Sequence, residues 1–343
     1  MPVRFGLVGC GKIAERLALP QLLACPEANV TALVDRDRAA AERLAEQFGL
    51  DPRGIWTDCE TMLRQADVDA VGVCVPNRLH RDVTLACCQA KKHVMVEKPI
   101  ALTLGEADEM VAAARDASVR LMVEQTQRFE PSHEVAKALL DDGAVGRVSS
   151  MRGRIGHAGP EYWSRTSPWF TTKAESGGGA LIDVGIHIID LLRWLSGKAV
   201  ARVYAKTATL EKSWDVEDHA VVLLEFTDGA VGVAEASWTT RPYELCTAFY
   251  GDQGTLTTAH GRATPVVVQR VGAGGDPNTP AESVTPNVPK TSRVGGAYPY
   301  FVQCILANRR PLCSGEEGRA TLEVVLAAYR SAEQGRWVEL PLQ

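Results

Sequence analysis

Metal-type cysteine spacing is missing from this sequence: nine cysteines are present, an odd number, but none form C-x-x-C. Cys87 and Cys88 are adjacent, and Cys25, Cys59, Cys74, Cys246, Cys304 and Cys313 lie far apart, so small buried thiols in a reducing compartment are expected. The histidines are dispersed with no H-x-x-x-H pair, and no metal site is expected. No apolar run approaches the length needed for a membrane helix. A basic stripe is lacking too: 37 Lys and Arg against 42 Asp and Glu give a net charge of −5, with the cations scattered, which argues against a nucleic-acid surface. The opening residues show no basic segment, long apolar core or small-residue cleavage site, so a cytoplasmic protein is expected.

What is present is ordinary globular composition over 343 residues, more than one hydrophobic core usually organises. Two domains follow, at residues 1–124 and 125–343. The first alternates strands and helices: Val3–Val8, a helix from Lys12, Asn29–Asp35, Arg38–Phe48, Ala70–Val75, Leu79–Ala90, His93–Val96, Leu104–Ala117 and Val119–Val123. Short Val-rich strands joined by helices make a doubly wound parallel sheet, an α/β domain of Rossmann type. From Val148 the pattern becomes period-two runs at Val148–Ile155, Ala199–Thr209, Ala220–Phe226, Ala230–Trp238 and Tyr243–Tyr250, the mark of an α+β domain with a large, mostly antiparallel sheet. Thr227-Asp228-Gly229 supplies a hairpin turn. Residues 272–297, crowded with Gly, Pro, Ser and Thr, read as an exposed loop, with helices at Tyr300–Ala307 and Ala320–Arg330 after it.

Gly9-Cys10-Gly11-Lys12-Ile13-Ala14 follows the first strand and opens a helix, the context in which G-x-G-x-x-A binds a dinucleotide. Gly9 permits the tight turn, Gly11 lets the main chain approach a pyrophosphate, and Ala14 allows close helix packing. Asp35 closes the second strand, where its carboxylate can accept from ribose hydroxyls; as a bland alternative it is a turn residue. A carboxylate there favours NAD, while Arg36 and Arg38 leave NADP open. Pro76-Asn77 ends the strand from Ala70, so Asn77 either touches cofactor or caps the next helix.

Lys98, in Glu97-Lys98-Pro99, sits at a strand end on the crevice edge where a nicotinamide would lie, and is either a merely solvated lysine or one with a proton-transfer role. Asp183 and His187 are four apart in Gly177-Gly178-Gly179-Ala180-Leu181-Ile182-Asp183-Val184-Gly185-Ile186-His187. On an α-helix that spacing puts both on one face, where the carboxylate can orient the imidazole; a purely structural hydrogen bond is the competing reading. Arg128 either binds substrate or forms an ion pair. His157 and the aromatics Tyr162, Trp163 and Trp169 precede the Asp183 segment and either line a ligand site or pack in the core or at an interface. Glu217-Asp218-His219 leads a strand and receives no chemical role.

Together these residues resemble the glucose-fructose oxidoreductase/inositol dehydrogenase family, Gfo/Idh/MocA. The likeness rests on Gly9–Ala14, Pro76-Asn77 with His80, Glu97-Lys98-Pro99, Arg128-Phe129 before Pro131, Gly177–Asp190 and Ser314-Gly315-Glu316-Glu317, and it runs essentially end to end. The resemblance implies a sugar or cyclitol oxidoreductase, with a homo-oligomer formed through the second domain's sheet. Lys98, Asp183 and His187 match the family's catalytic lysine, aspartate and histidine. Cofactor contacts are expected from Gly9, Gly11, Lys12, Ile13, Ala14, Asp35, Arg36, Pro76, Asn77, His80, Glu97 and Lys98. Substrate contacts are expected from Lys98, Arg128, His157, Trp163, Asp183 and His187. Competing readings are a related C=C or C=N reductase, for which Asp183 and His187 would be dispensable, and a dinucleotide-binding regulator without turnover.

Overall fold

Strand β1 (Val3–Val8) is apolar and buried almost throughout, as a strand covered on both faces must be. The computed structural model describes residues 1–162, 168–272, 276, 278–279 and 281–343. Residues 1–125, 174–177 and 294–322 form one compact unit; residues 126–173, 178–293 and 323–343 form the other. This division differs from a single cut after Glu124. The helix Ala297–Leu306 returns to the first unit, where Tyr298 and Phe301 meet Phe5 edge-on at centroid distances of 6.3 and 6.4 Å.

In the first unit β1 is followed by β2 (Ala28–Val34), β3 (Ile55–Trp56), β4 (Ala70–Val73), β5 (His93–Glu97) and β6 (Leu121–Glu124). All pairs are parallel and the order is β3-β2-β1-β4-β5-β6. Strand order reverses between β1 and β4, and the carboxyl ends flanking that point form a ligand crevice in such sheets. The helix Arg38–Phe48 has the expected bounds because Asp37 caps it, accepting from the Ala39 N–H. Leu104–Asp116 starts on a reciprocal Thr103/Glu106 box. Two elements escaped the sequence pattern, β3 and the helix Cys59–Gln65: a two-residue strand has no period to read.

The second unit holds β7 (Val148–Gly156), β8 (Val200–Ala208), β9 (His219–Phe226), β10 (Val231–Ser237), β11 (Glu244–Gly251), β12 (Gly254–Ala259), β13 (Val266–Arg270), β14 (Glu282–Val284) and β15 (Val338–Glu339). They make one nine-stranded sheet, β14-β13-β12-β11-β7-β10-β9-β8-β15, antiparallel except for the parallel pair β7/β10. Along β9, Ala220, Val222, Leu224 and Phe226 are buried while Leu223 faces outward, the alternation of a sheet with one covered face. Thr227-Asp228-Gly229 does turn β9 into β10, with the Asp228 carboxylate accepting from the Ala230 N–H. The segment 272–297 is not loop throughout: β14 extends the sheet, and the Glu134 carboxylate holds Ser292 Oγ at 2.6 Å and the Arg293 N–H at 3.0 Å. No helix among the described residues is long and apolar enough to cross a membrane.

Candidate active site

The chain leaves β1 at Gly9 with φ +98°, and a Cβ there would lie 2.3 Å from the Cys74 carbonyl oxygen, so the position admits only glycine. At Gly11 the reason is different: a Cβ would meet nothing within 4 Å. No protein atom needs that space, and it lies at the mouth of the helix spanning residues 12–23, whose first N–H groups are free of helical partners. Ala14, fully buried, begins a π-helical turn, Ala14–Ala18, within that helix. Asp35 accepts the Cys10 N–H on Oδ2 at 2.8 Å and the Asp37 N–H on Oδ1 at 2.9 Å. Each oxygen keeps a lone pair, so two main-chain bonds aim the carboxylate without saturating it. Lys12 pairs with Glu15, and Ile13 and Arg36 are exposed beside the turn. An open cradle of main-chain N–H groups with a carboxylate at the next strand end fits a dinucleotide's pyrophosphate and ribose.

At the end of β5, Lys98 is the one residue between Val94 and Ala101 that is not buried. Glu97 before it is buried, with Oε1 lacking a hydrogen-bond partner among the described residues. Burial pushes its carboxyl up to about 7, against the adjacent Lys98 charge, which pulls the other way. His80 is fully buried, with Nδ1 2.8 Å from the Pro99 carbonyl and Nε2 2.9 Å from the Val75 carbonyl. Burial holds this imidazole below its ordinary value. His80 therefore ties the chain after β4 to the Lys98-Pro99 turn and offers no surface to a cofactor, which corrects its expected role. Asn77 is also buried and donates to the Ser176 carbonyl at 2.8 Å. Pro76, half-buried, holds the cap position of that short turn, so Asn77 is not an N-cap.

In the second unit the glycines before Asp183 are filled by protein. A Cβ on Gly178 would stand 2.1 Å from Tyr329 Oη, and one on Gly179 1.8 Å from the Glu217 carbonyl oxygen. The Glu217 carboxylate accepts the Gly179 N–H at 3.0 Å, the Leu181 N–H at 2.9 Å and the Tyr329 hydroxyl at 2.8 Å. This clamp launches a π-helical turn, Leu181–Gly185, and the helix Ile186–Ser196. Asp183 and His187 thus do not share one regular α-helix, as their spacing had suggested; Asp183 sits in the wider turn, of a kind frequent at functional sites. Its buried Oδ2 accepts the Trp238 indole N–H at 3.0 Å and lies 3.8 Å from His157 Nε2. His157 Nδ1 accepts the Gly159 N–H at 2.9 Å, so the neutral ring carries its proton on Nε2, toward Asp183. Between Gly178 and Leu192, His187 alone is not fully buried.

Arg128 is corrected from substrate contact to structural partner. Its side chain is 1% exposed, and Nε and Nη2 each meet an Asp190 carboxylate oxygen at 2.7 Å, a two-point fork inside the core. Trp163 lies outside the described residues. Tyr162 is largely exposed, and Trp169 stacks on Phe170 at 3.7 Å. Sequence reasoning missed Glu217, Trp238 and Tyr329. Only Glu217 carried a signal, as an acidic pair leading a strand; the other two reach the site from 55 and 147 residues away in the chain. Among the described residues no cluster of His, Cys, Asp and Glu could hold a metal ion.

Residues 3–125 match the family model described as oxidoreductase family, NAD-binding Rossmann fold, and residues 133–257 match the GFO/IDH/MocA C-terminal domain. The chain is 31% identical to 1,5-anhydro-D-fructose reductase of Ensifer adhaerens, covering 98% of each protein. It is 28% identical to myo-inositol 2-dehydrogenase of Thermotoga maritima, again over 98% of each. Among solved structures, the WlbA dehydrogenase of Bordetella pertussis, in complex with NADH and UDP-GlcNAcA, superposes with a TM-score of 0.85 at 26% identity over the full length of both chains.

Proposed function

The chain belongs to the Gfo/Idh/MocA family of oxidoreductases, and from that premise we propose that it interconverts a secondary hydroxyl and a ketone on a sugar, sugar derivative or inositol. Its first unit is an NAD-binding Rossmann domain. The observation that carries the reading is a pair of matched exceptions: Lys98, at the carboxyl end of β5, and His187, four residues after buried Asp183, are each the one residue in a buried run that is not itself buried. Polar groups left reachable in otherwise sealed segments are where chemistry is done.

Gly11 and the N–H groups opening the helix 12–23 would hold the pyrophosphate, and Asp35 the adenosine ribose hydroxyls. When bound, NAD supplies the carbon that exchanges hydride with the carbinol carbon. The chain's own residues handle the proton: His187 takes it from the substrate hydroxyl, Asp183 steadies the positive charge that forms on the ring, and Lys98 is assigned the part of the family's catalytic lysine. Ketone reduction runs these steps in reverse.

A homo-oligomer fits the outward face of the nine-stranded sheet. Tyr204, Leu223 and Val233 are register partners across β8, β9 and β10 and all are exposed, with Trp337 packed beside Tyr204. A contiguous apolar row of this kind is a common subunit contact, and light scattering reads the resulting mass. A cytoplasmic location completes the proposal, and fractionation of the native cell checks it.

The functional test is NADH formation by the purified protein across a panel of polyols, aldoses and inositols. With the best substrate, His187→Ala and Lys98→Ala should each lower kcat by about 10²–10⁴-fold. Silence across the panel, or a His187→Ala enzyme within a few-fold of the parent, removes the assignment.

A further inference from the structure

Asp183 is 6% exposed and sits in a π-helical turn. A carboxylate buried to this extent is held by polar hydrogens around it, because desolvation is otherwise costly. One such donor is Trp238, fully buried, with Nε1 3.0 Å from Asp183 Oδ2. Packing alone does not explain a tryptophan here: a buried indole brings an N–H that must itself find an acceptor, and phenylalanine would fill the core without that demand.

The placement of the indole is itself enforced. The main-chain N–H of Trp238 donates to the Asp218 carbonyl at 2.7 Å, and Trp214 meets the indole edge-on at 5.8 Å. Asp218, fully buried, accepts the N–H groups of Leu210, Glu211 and Lys212 at 2.8, 2.7 and 2.8 Å. That nest fixes the chain entering β9 and, through the Asp218 carbonyl, the chain at Trp238 just after β10. His157, just after β7, brings its Nε2 to 3.8 Å from the same Oδ2. Segments distant in sequence thus hold the indole that donates to this carboxylate oxygen and place an imidazole near it.

We propose that Trp238 is a positioning residue for hydride transfer, its indole N–H fixing the Asp183 carboxylate in the orientation and charge state that His187 needs. This rests on the oxidoreductase reading given above, since the purpose of holding Asp183 is to support His187. An indole that merely fills space would influence stability; one that holds the carboxylate influences turnover and reports the charge of Asp183.

Two measurements separate these. In protein labelled with ¹⁵N-tryptophan, the indole N–H resonance absent from Trp238→Phe identifies Trp238. In Asp183→Asn that resonance should move upfield by several tenths of a ppm, because a charged acceptor has become neutral. In turnover, Trp238→Phe should lose about 10–100-fold in kcat with KM within about 3-fold, and should lose far less when introduced into Asp183→Asn. Overturning results are an indole resonance indifferent to Asp183→Asn, a Trp238→Phe enzyme with unchanged kcat, or equal losses in both backgrounds. If Trp238→Phe does not fold, Trp238→His, which keeps a ring N–H, should retain more kcat than Trp238→Leu, and parity between them overturns the proposal. The resonance arm needs no substrate, so a parent enzyme silent on every substrate with the indole shift intact defeats the oxidoreductase reading while leaving the hydrogen bond standing.

Discussion

Two glycine-led turns open helices in this chain, one in each unit, and each runs into a five-residue π-helical stretch, Ala14–Ala18 and Leu181–Gly185. Their glycines serve opposite ends. In the first unit the space over Gly11 is left open by the protein, whereas in the second the space over Gly178 and Gly179 is taken by Tyr329 and Glu217. The first turn presents main chain to a visitor; the second uses close approach to brace side chains. The glutamates repeat the contrast, Glu97 keeping a buried oxygen unmet while the Glu217 carboxylate is engaged by three donors. Glycine richness therefore signals ligand room in one place and a crowded interior in the other.

The sharpest way to break this contrast is Gly179→Ala. Its Cβ would stand 1.8 Å from a main-chain oxygen that cannot swing away, so a loss above about 4 kcal/mol is expected in denaturant unfolding, enough to cost most of the second unit's order. A variant that melts like the parent would show that the space is not filled after all.

Glu97→Gln probes the unmet carboxyl. Burial raises the folded-state value from 4.5 to about 7, so in that window the native protein binds more protons than the unfolded chain and loses stability as pH rises. Gln cannot ionise. Its melting temperature should equal the parent's near pH 5 and exceed it near pH 8, by an amount worth up to about 3 kcal/mol. A gap that stays constant with pH would place the Glu97 titration outside this window.

Gly11→Ala gives the smallest expected effect and refines the comparison most. With open space above it, stability should stay within about 0.5 kcal/mol, while NAD affinity falls about 10-fold or more because the methyl occupies the approach path. Calorimetric titration with NAD and a melt of the same sample read both. Weak folding with normal affinity would exchange the roles assigned to the two turns.

The ligand-facing turn was legible because its chemistry demands residue types at fixed local spacing: Gly9, Gly11, Ala14 and Asp35 all lie within one β-α-β stretch. Lys98 and His187 were legible as motif residues, and the strands of β7 to β11 through their period-two alternation. What escaped is non-local or too short. The partners of Asp183 come from just after β10 and just after β7, and no pattern within the Asp183 segment announces them. His80 and Arg128 were misread for a related reason. A histidine between two carbonyls and an arginine forked onto Asp190 look, in sequence, the same as ligand-binding residues, since only the fold shows that their donors are already committed. The strands β12 to β14 were lost because their flanks are rich in turn residues and the runs are short.

The return of residues 294–322 to the first unit has a bearing on how the protein is made. A nascent chain released after Gln125 would hold every strand of the parallel sheet but not Tyr298 or Phe301, so the flank of Phe5 would stay wet until 176 more residues, to Phe301, had been translated. Synthesis order and folding order are thereby uncoupled: the half that emerges first from the ribosome must wait for a late segment to seal it.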